Sequence, residues 1–87
     1  MKYKHKNTNE IIRAQRFKKD MADNFYYKKF LFFYYKQYVV YTTLSGELGI
    51  EEADKNDYVI FFEKEDRIFK GILNKKYFNK FFKKCEE

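Results

Sequence analysis

Nucleophilic catalysis needs a Ser, Cys or Thr with a base in hydrogen-bond reach, and this sequence offers one Ser, one Cys and one His. Their contexts do not suggest a triad. His5 lies in a basic N-terminal stretch and reads as a solvated tail residue, Ser45 lies in a turn, and Cys85 reads as a small packing residue near the acidic C-terminus. A structural zinc site needs about four Cys or His ligands, more than the chain contains. A single cysteine also rules out an internal disulfide and favours a reducing, cytoplasmic setting.

Carboxylates are plentiful, but their spacing argues against metal-dependent chemistry. An acid, one intervening residue and a Lys, the spacing of one large nuclease class, occurs nowhere. Asp54, Asn56 and Glu65 have the offsets of a calcium loop, but the position that requires Gly is Val59, inside a strand-like run. The three glycines do not cluster into a phosphate-binding loop. The expectation is a non-enzyme with no catalytic residue, metal or cofactor, which acts by binding.

The binding residues are suggested by charge and by aromatic content. Residues 1–38 hold ten basic and three acidic side chains, residues 39–67 three basic and eight acidic, and residues 68–87 six basic and two acidic. The net charge of +6 is therefore two basic ends around an acidic middle. The acidic residues Glu47, Glu51, Glu52, Asp54 and Asp57 form a candidate partner-binding patch, and Arg13, Arg16, Lys18, Lys19, Lys28 and Lys29 a candidate basic one. Eleven Phe and nine Tyr exceed what one small core hides, so some rings must be exposed. Tyr26, Tyr27, Tyr34 and Tyr35 are the candidates. Lys, Asn, Ile, Phe and Tyr also have AT-rich codons, so placement carries more weight than totals.

These residues must be positioned by one domain, since 87 residues leave room for a single core. Residues 1–6 read as a basic arm or an edge segment. Asn7 with Glu10 three positions on looks like a helix start, followed by Ile11, Ala14, Met21, Ala22 and Phe25 on one face. Tyr27–Tyr35 and Tyr38–Leu44 read as strands joined near Lys36 and Gln37, although nothing before Gly46 would stop the first helix from running on through Tyr35. Glu51–Asp57 reads as loop or one helical turn. Tyr58–Phe62 and Ile68–Leu73 read as a hairpin, with Gly71 marking a bulge or a close approach of another backbone. Asn74 caps a final helix with Phe78, Phe81, Phe82 and Cys85 on its apolar stripe, and Leu73 staples onto Phe78. The expected fold is α+β: a small single domain over residues 1–87 with an N-terminal helix, a four-stranded antiparallel β-meander and a C-terminal amphipathic helix, both helices on one sheet face.

Two functions fit. The first is a small protein-binding module, an inhibitor or accessory protein of the kind phages and other mobile elements encode. Its partner would be a protein, such as a nucleic-acid-processing enzyme or a ribonucleoprotein, met through opposed acidic and basic/aromatic surfaces. The second is a single-stranded nucleic-acid-binding protein that stacks bases on its tyrosines and tracks phosphates with its lysines. Lys outnumbers Arg sixteen to three, which weighs against the second. The longest charge-free runs, Phe30–Tyr35 and Gln37–Gly46, are too short to span a membrane, so no membrane role is expected. A homodimer would bury surplus rings.

Overall fold

The computed structural model describes residues 1–44 and 46–85; Ser45, placed in a turn above, lies outside the described residues. The chain is mostly strand. β1 (Lys2–His5) turns into β2 (Ile11–Arg16), a 3₁₀ turn over Lys19–Met21 follows, and β3 (Asn24–Phe30) and β4 (Phe33–Thr42) form a hairpin. Then come β5 (Gly49–Ala53), β6 (Asp57–Lys64), β7 (Arg67–Asn74), a short helix α1 (Lys75–Phe81) and β8 (Phe82–Lys84).

The strands build two antiparallel sheets, one ordered β7-β6-β2-β1-β8 and the other β3-β4-β5. They meet where the chain leaves β4: Thr43 N–H donates to Lys70 O at 2.8 Å, and Lys70 N–H donates to Thr43 Oγ1 at 2.9 Å. Phe17, Val40, Ala53 and Val59 form one buried cluster spanning both sheets. Ile12, Ala14, Ile60 and Phe78 form a second, under the helix.

The expected α+β arrangement with a helix at each end is overturned, because no helix forms before β3. Ile12 and Ala14 alternate inward with Arg13 and Gln15 outward, the two-residue period of a strand, and β2 pairs with both β1 and β6. Adjacent Ile11 and Ile12 satisfy either period, but only as a strand does the segment join β1 to β6 in one sheet. Asn7 caps no helix. Its N–H and that of Thr8 donate to His5 Nδ1 at 3.1 and 3.2 Å, closing the β1–β2 turn. His5 is accordingly no solvated tail: it stacks on Phe81 with ring centroids 5.9 Å apart. Lys2–His5 lies between β2 and β8.

The first hairpin turns at Leu31 and Phe32 instead of Lys36 and Gln37, and Gln37 is buried in β4 with its amide donating to Tyr38 O and Ala53 O. Of the acidic segment, Glu51–Ala53 is the end of β5, which pairs with β4 from Tyr38↔Ala53 to Thr42↔Gly49, and residues 54–56 form the turn into β6. The final helix is shorter than its stripe. Asn74 caps it as expected, its side chain accepting from Tyr77 N–H at 2.9 Å, but the chain leaves the helix at Phe82 to pair with β1. Phe78 is thereby set into a cage of Tyr3, Tyr58 and Phe82, stacked on Tyr58 at 4.1 Å. At Gly71 the three atoms nearest to where a Cβ would stand all belong to the side chain of Leu44.

Candidate functional site: the aromatic hairpin

β5 accompanies β4 only over Tyr38–Thr42, so from Gln37 to Phe33 β4 has β3 as its single neighbour. This distal half is a two-stranded ribbon about 17 Å long at roughly 3.3 Å per residue. The whole chain measures 46 × 25 × 20 Å. A bare two-stranded ribbon is marginally stable in water, so its side chains must hold it.

They do so differently on its two faces. One face carries Phe25, Tyr27, Lys29, Tyr34, Lys36 and Tyr38. Here cations lie on rings: Lys36 Nζ sits 4.6 Å from the Phe25 centroid, Lys29 Nζ 5.9 Å from that of Tyr34, and Lys19 Nζ 5.9 Å from that of Tyr38. The other face carries Tyr26, Lys28, Phe30, Phe33 and Tyr35. There Lys28 Nζ pairs with Glu52 Oε2 at 2.6 Å, and the Tyr26 hydroxyl donates to Glu52 Oε1. The Lys28 hydrogen bond holds the Glu52 carboxyl below its ordinary value, and Glu52 in turn raises Lys28 and Tyr26.

The tip is apolar on every side. Phe30, Leu31, Phe32 and Phe33 are each about two-thirds exposed or more, and Phe32 reaches 91%. Three rings and a Leu exposed to that degree present roughly 400–500 Å² of apolar surface, as much as a whole monomer usually shows in its largest patch. Leu31 turns the chain at φ 55°, a left-handed conformation that costs a non-glycine residue about 1–2 kcal/mol. The turn thus combines a left-handed non-glycine residue with exposed apolar side chains, two local costs at one place.

The sequence candidates distribute around this hairpin unevenly. Tyr26, Tyr27, Tyr34 and Tyr35 are all exposed on the ribbon. Lys28 and Lys29 stand among them, whereas Lys18 and Lys19 line a groove of about 730 Å³ at the hairpin's base together with Lys36, Lys55, Tyr35 and Tyr38. Arg13 lies away from the hairpin, on β2 beside a second depression lined by Ile11, Phe61 and Ile68. Arg16 is engaged with the β5–β6 turn, donating to Lys55 O at 2.9 Å and Asn56 Oδ1 at 3.0 Å. The acidic group is also divided. Glu52 belongs to the Tyr26 and Lys28 cluster, and Asp54 and Asp57 close the β5–β6 turn, Asp54 N–H donating to Asp57 Oδ2 at 2.8 Å. Glu51 is exposed on β5, and Glu47 lies in the exposed β4–β5 loop.

Sequence reasoning passed over Phe30, Leu31, Phe32 and Phe33. The signal was there: a charge-free run, Phe30–Tyr35, bounded by Lys28, Lys29 and Lys36. Among the described residues no three of His, Cys, Asp and Glu gather as a metal-binding group, and no helix is long and apolar enough to cross a membrane. The comparisons add no relative: no protein family, no curated protein and no solved structure matches this chain.

Proposed function

We propose that this is a small non-enzymatic protein-binding module that works by seating the tip of its β3–β4 hairpin in an apolar cleft of another protein. The observation that carries the reading is the exposure of Phe30, Leu31, Phe32 and Phe33 on a strained two-residue turn. At roughly 25 cal/mol per Å², covering that tip is worth up to about 10 kcal/mol before the costs of association.

The ribbon's backbone argues for a protein over a lipid surface. Both edges of the distal ribbon present unpaired N–H and C=O groups, and hydrocarbon would leave each one unsatisfied at several kcal/mol. A protein cleft can pair those edges while it buries the rings, the usual economy of strand addition. Lys29 and Lys36, set back from the tip, suit an acidic rim around such a cleft. A partner that handles nucleic acid, as an inhibitor or accessory protein of a mobile element would have, stays within this proposal.

One observation favours the second reading, single-stranded nucleic acid. The basal groove brings Lys18, Lys19, Lys36 and Lys55 beside Tyr35 and Tyr38, and this is cation and ring chemistry suited to phosphates and bases. The test sets the two against each other. Immobilised wild type and Phe32→Ser are exposed to host extract, eluted proteins are identified, and both forms are titrated with a fluorescent single-stranded oligonucleotide across salt. A protein retained at high salt by the wild type and lost with Phe32→Ser supports docking. Steeply salt-dependent oligonucleotide binding that is indifferent to Phe32 and weakened by Lys19→Gln with Lys36→Gln replaces it with the second reading.

A further inference from the structure

The three-stranded sheet has two outer strands, β3 and β5, and they are opposite in charge. β3 carries Lys28 and Lys29 and no acid; β5 carries Glu51 and Glu52 and no base. Neither contains Pro, and each runs beside β4 without a break in register. Lysines on an edge strand repel a second copy of that strand, but they attract an acidic one.

Within one copy, Lys28 and Glu52 already satisfy each other. The residues left over are Lys29 and Glu51. Lys29 stands opposite Tyr34 and Glu51 opposite Val40, and Tyr34 and Val40 are an even number of positions apart on β4, so Lys29 and Glu51 project from the same sheet face. Among the described residues neither is in an ion pair. The backbone is ready as well. The alternation of an antiparallel ladder leaves the N–H and C=O of Tyr27 and Lys29 on β3, and of Ile50 and Glu52 on β5, pointing outward. Only at the start of β3 is this edge blunted, where Phe25 N–H is taken by Asn24 Oδ1 at 2.8 Å.

We propose that copies of this chain associate head to tail, β3 of one adding to β5 of the next, with Lys29 beside Glu51 across each junction. Both strands run antiparallel to β4 and therefore parallel to each other, so a sheet continued by simple repetition points every hairpin tip the same way. Such a junction is heterologous and does not close at two copies. It goes beyond the docking reading, since it joins copies of this chain to one another, and it draws on the β3 edge and Phe30 that a docked partner would also use.

The test is the solution mass of the full chain, by size-exclusion chromatography with light scattering over concentration and salt. The wild-type mass should rise with concentration past two copies and fall when salt goes from about 50 to about 500 mM, where surface attraction is screened. Lys29→Glu and Glu51→Lys should each be monomeric. Mixed in equal amounts, they should again grow past two copies, because one junction restores the natural pair and the next carries the same pair with its signs exchanged. That recovery also proves both variants folded. Phe32→Ser should assemble as the wild type does. A wild type monomeric up to about 1 mM, a pair that never grows, a mixture that stays monomeric, or assembly lost with Phe32→Ser would each overturn the proposal.

Discussion

Asp23 and Lys70 meet at 2.8 Å, and their contact ties the segment entering β3 to β7 of the other sheet. The same Asp23 Oδ2 accepts the Tyr41 N–H at 2.8 Å, so one carboxylate organises the start of the hairpin and anchors it to the body. The Lys70 hydrogen bond, helped by the Tyr41 amide and opposed by burial, holds the Asp23 carboxyl below its ordinary value.

The sign of the pH effect follows. A folded-state value below the unfolded one, about 3.9, means that Asp23 contributes its full stabilisation above that pH and loses it as pH falls through the folded value. Asp23→Asn should cost about 1 kcal/mol at pH 7 in urea unfolding and progressively less on acidification, the two proteins converging near pH 2. A gap unchanged between pH 7 and pH 2 would show that the charge is not its origin.

Gly71 sits where any Cβ would overlap the side chain of Leu44, the residue that follows the junction of β4 with β7. Gly71→Ala should therefore destabilise by about 1–3 kcal/mol. Leu44→Ala alone should cost little, since Leu44 is exposed, and the double variant should recover most of the loss. Additive costs in that cycle would place the problem in the β7 backbone instead.

What was legible in the sequence follows from where each residue's choice was made. Tyr58–Phe62 and Ile68–Leu73 were readable because a charged turn, Glu63–Arg67, separates two apolar runs, and the hairpin lies there with two residues more of pairing on its turn side. The Asn74 cap was readable because capping is local chemistry, and Leu73 packs against the cluster that holds Phe78. The first hairpin turn was not, because Leu31 and Phe32 carry no turn signal. β2 was misread because Ile11–Arg16 becomes a strand only by pairing with β1 and β6, partners far along the chain or across a turn. The site was half legible: exposed tyrosines could be expected from the aromatic surplus, but a four-residue apolar tip is the opposite of what solvent selects.

That tip makes a prediction about strain. Leu31→Gly removes a left-handed penalty of about 1–2 kcal/mol and adds back roughly 0.5–1 kcal/mol of unfolded-chain entropy, so it should stabilise by a few tenths to about 1 kcal/mol. Under the docking proposal it should nevertheless weaken partner capture, because a Leu side chain is lost from the tip. A protein made more stable and less able to bind would show that the turn was kept for its surface and not for the fold.

Phe32 and Phe78 are the same residue type at opposite extremes, the first 91% exposed and the second 1%. Phe78→Ala empties the cage of Tyr3, Tyr58 and Phe82 and should cost about 3–5 kcal/mol, enough to unfold much of a domain this small at ambient temperature. Phe32→Ser touches no core cluster and should leave the unfolding midpoint within about 0.5 kcal/mol of wild type, or raise it by removing an exposed ring. Chemical denaturation of the three proteins side by side, followed by far-ultraviolet circular dichroism, decides it. A Phe32→Ser loss as large as several kcal/mol would mean that the ring is buried by the chain itself, and the docking proposal would lose the surface it rests on.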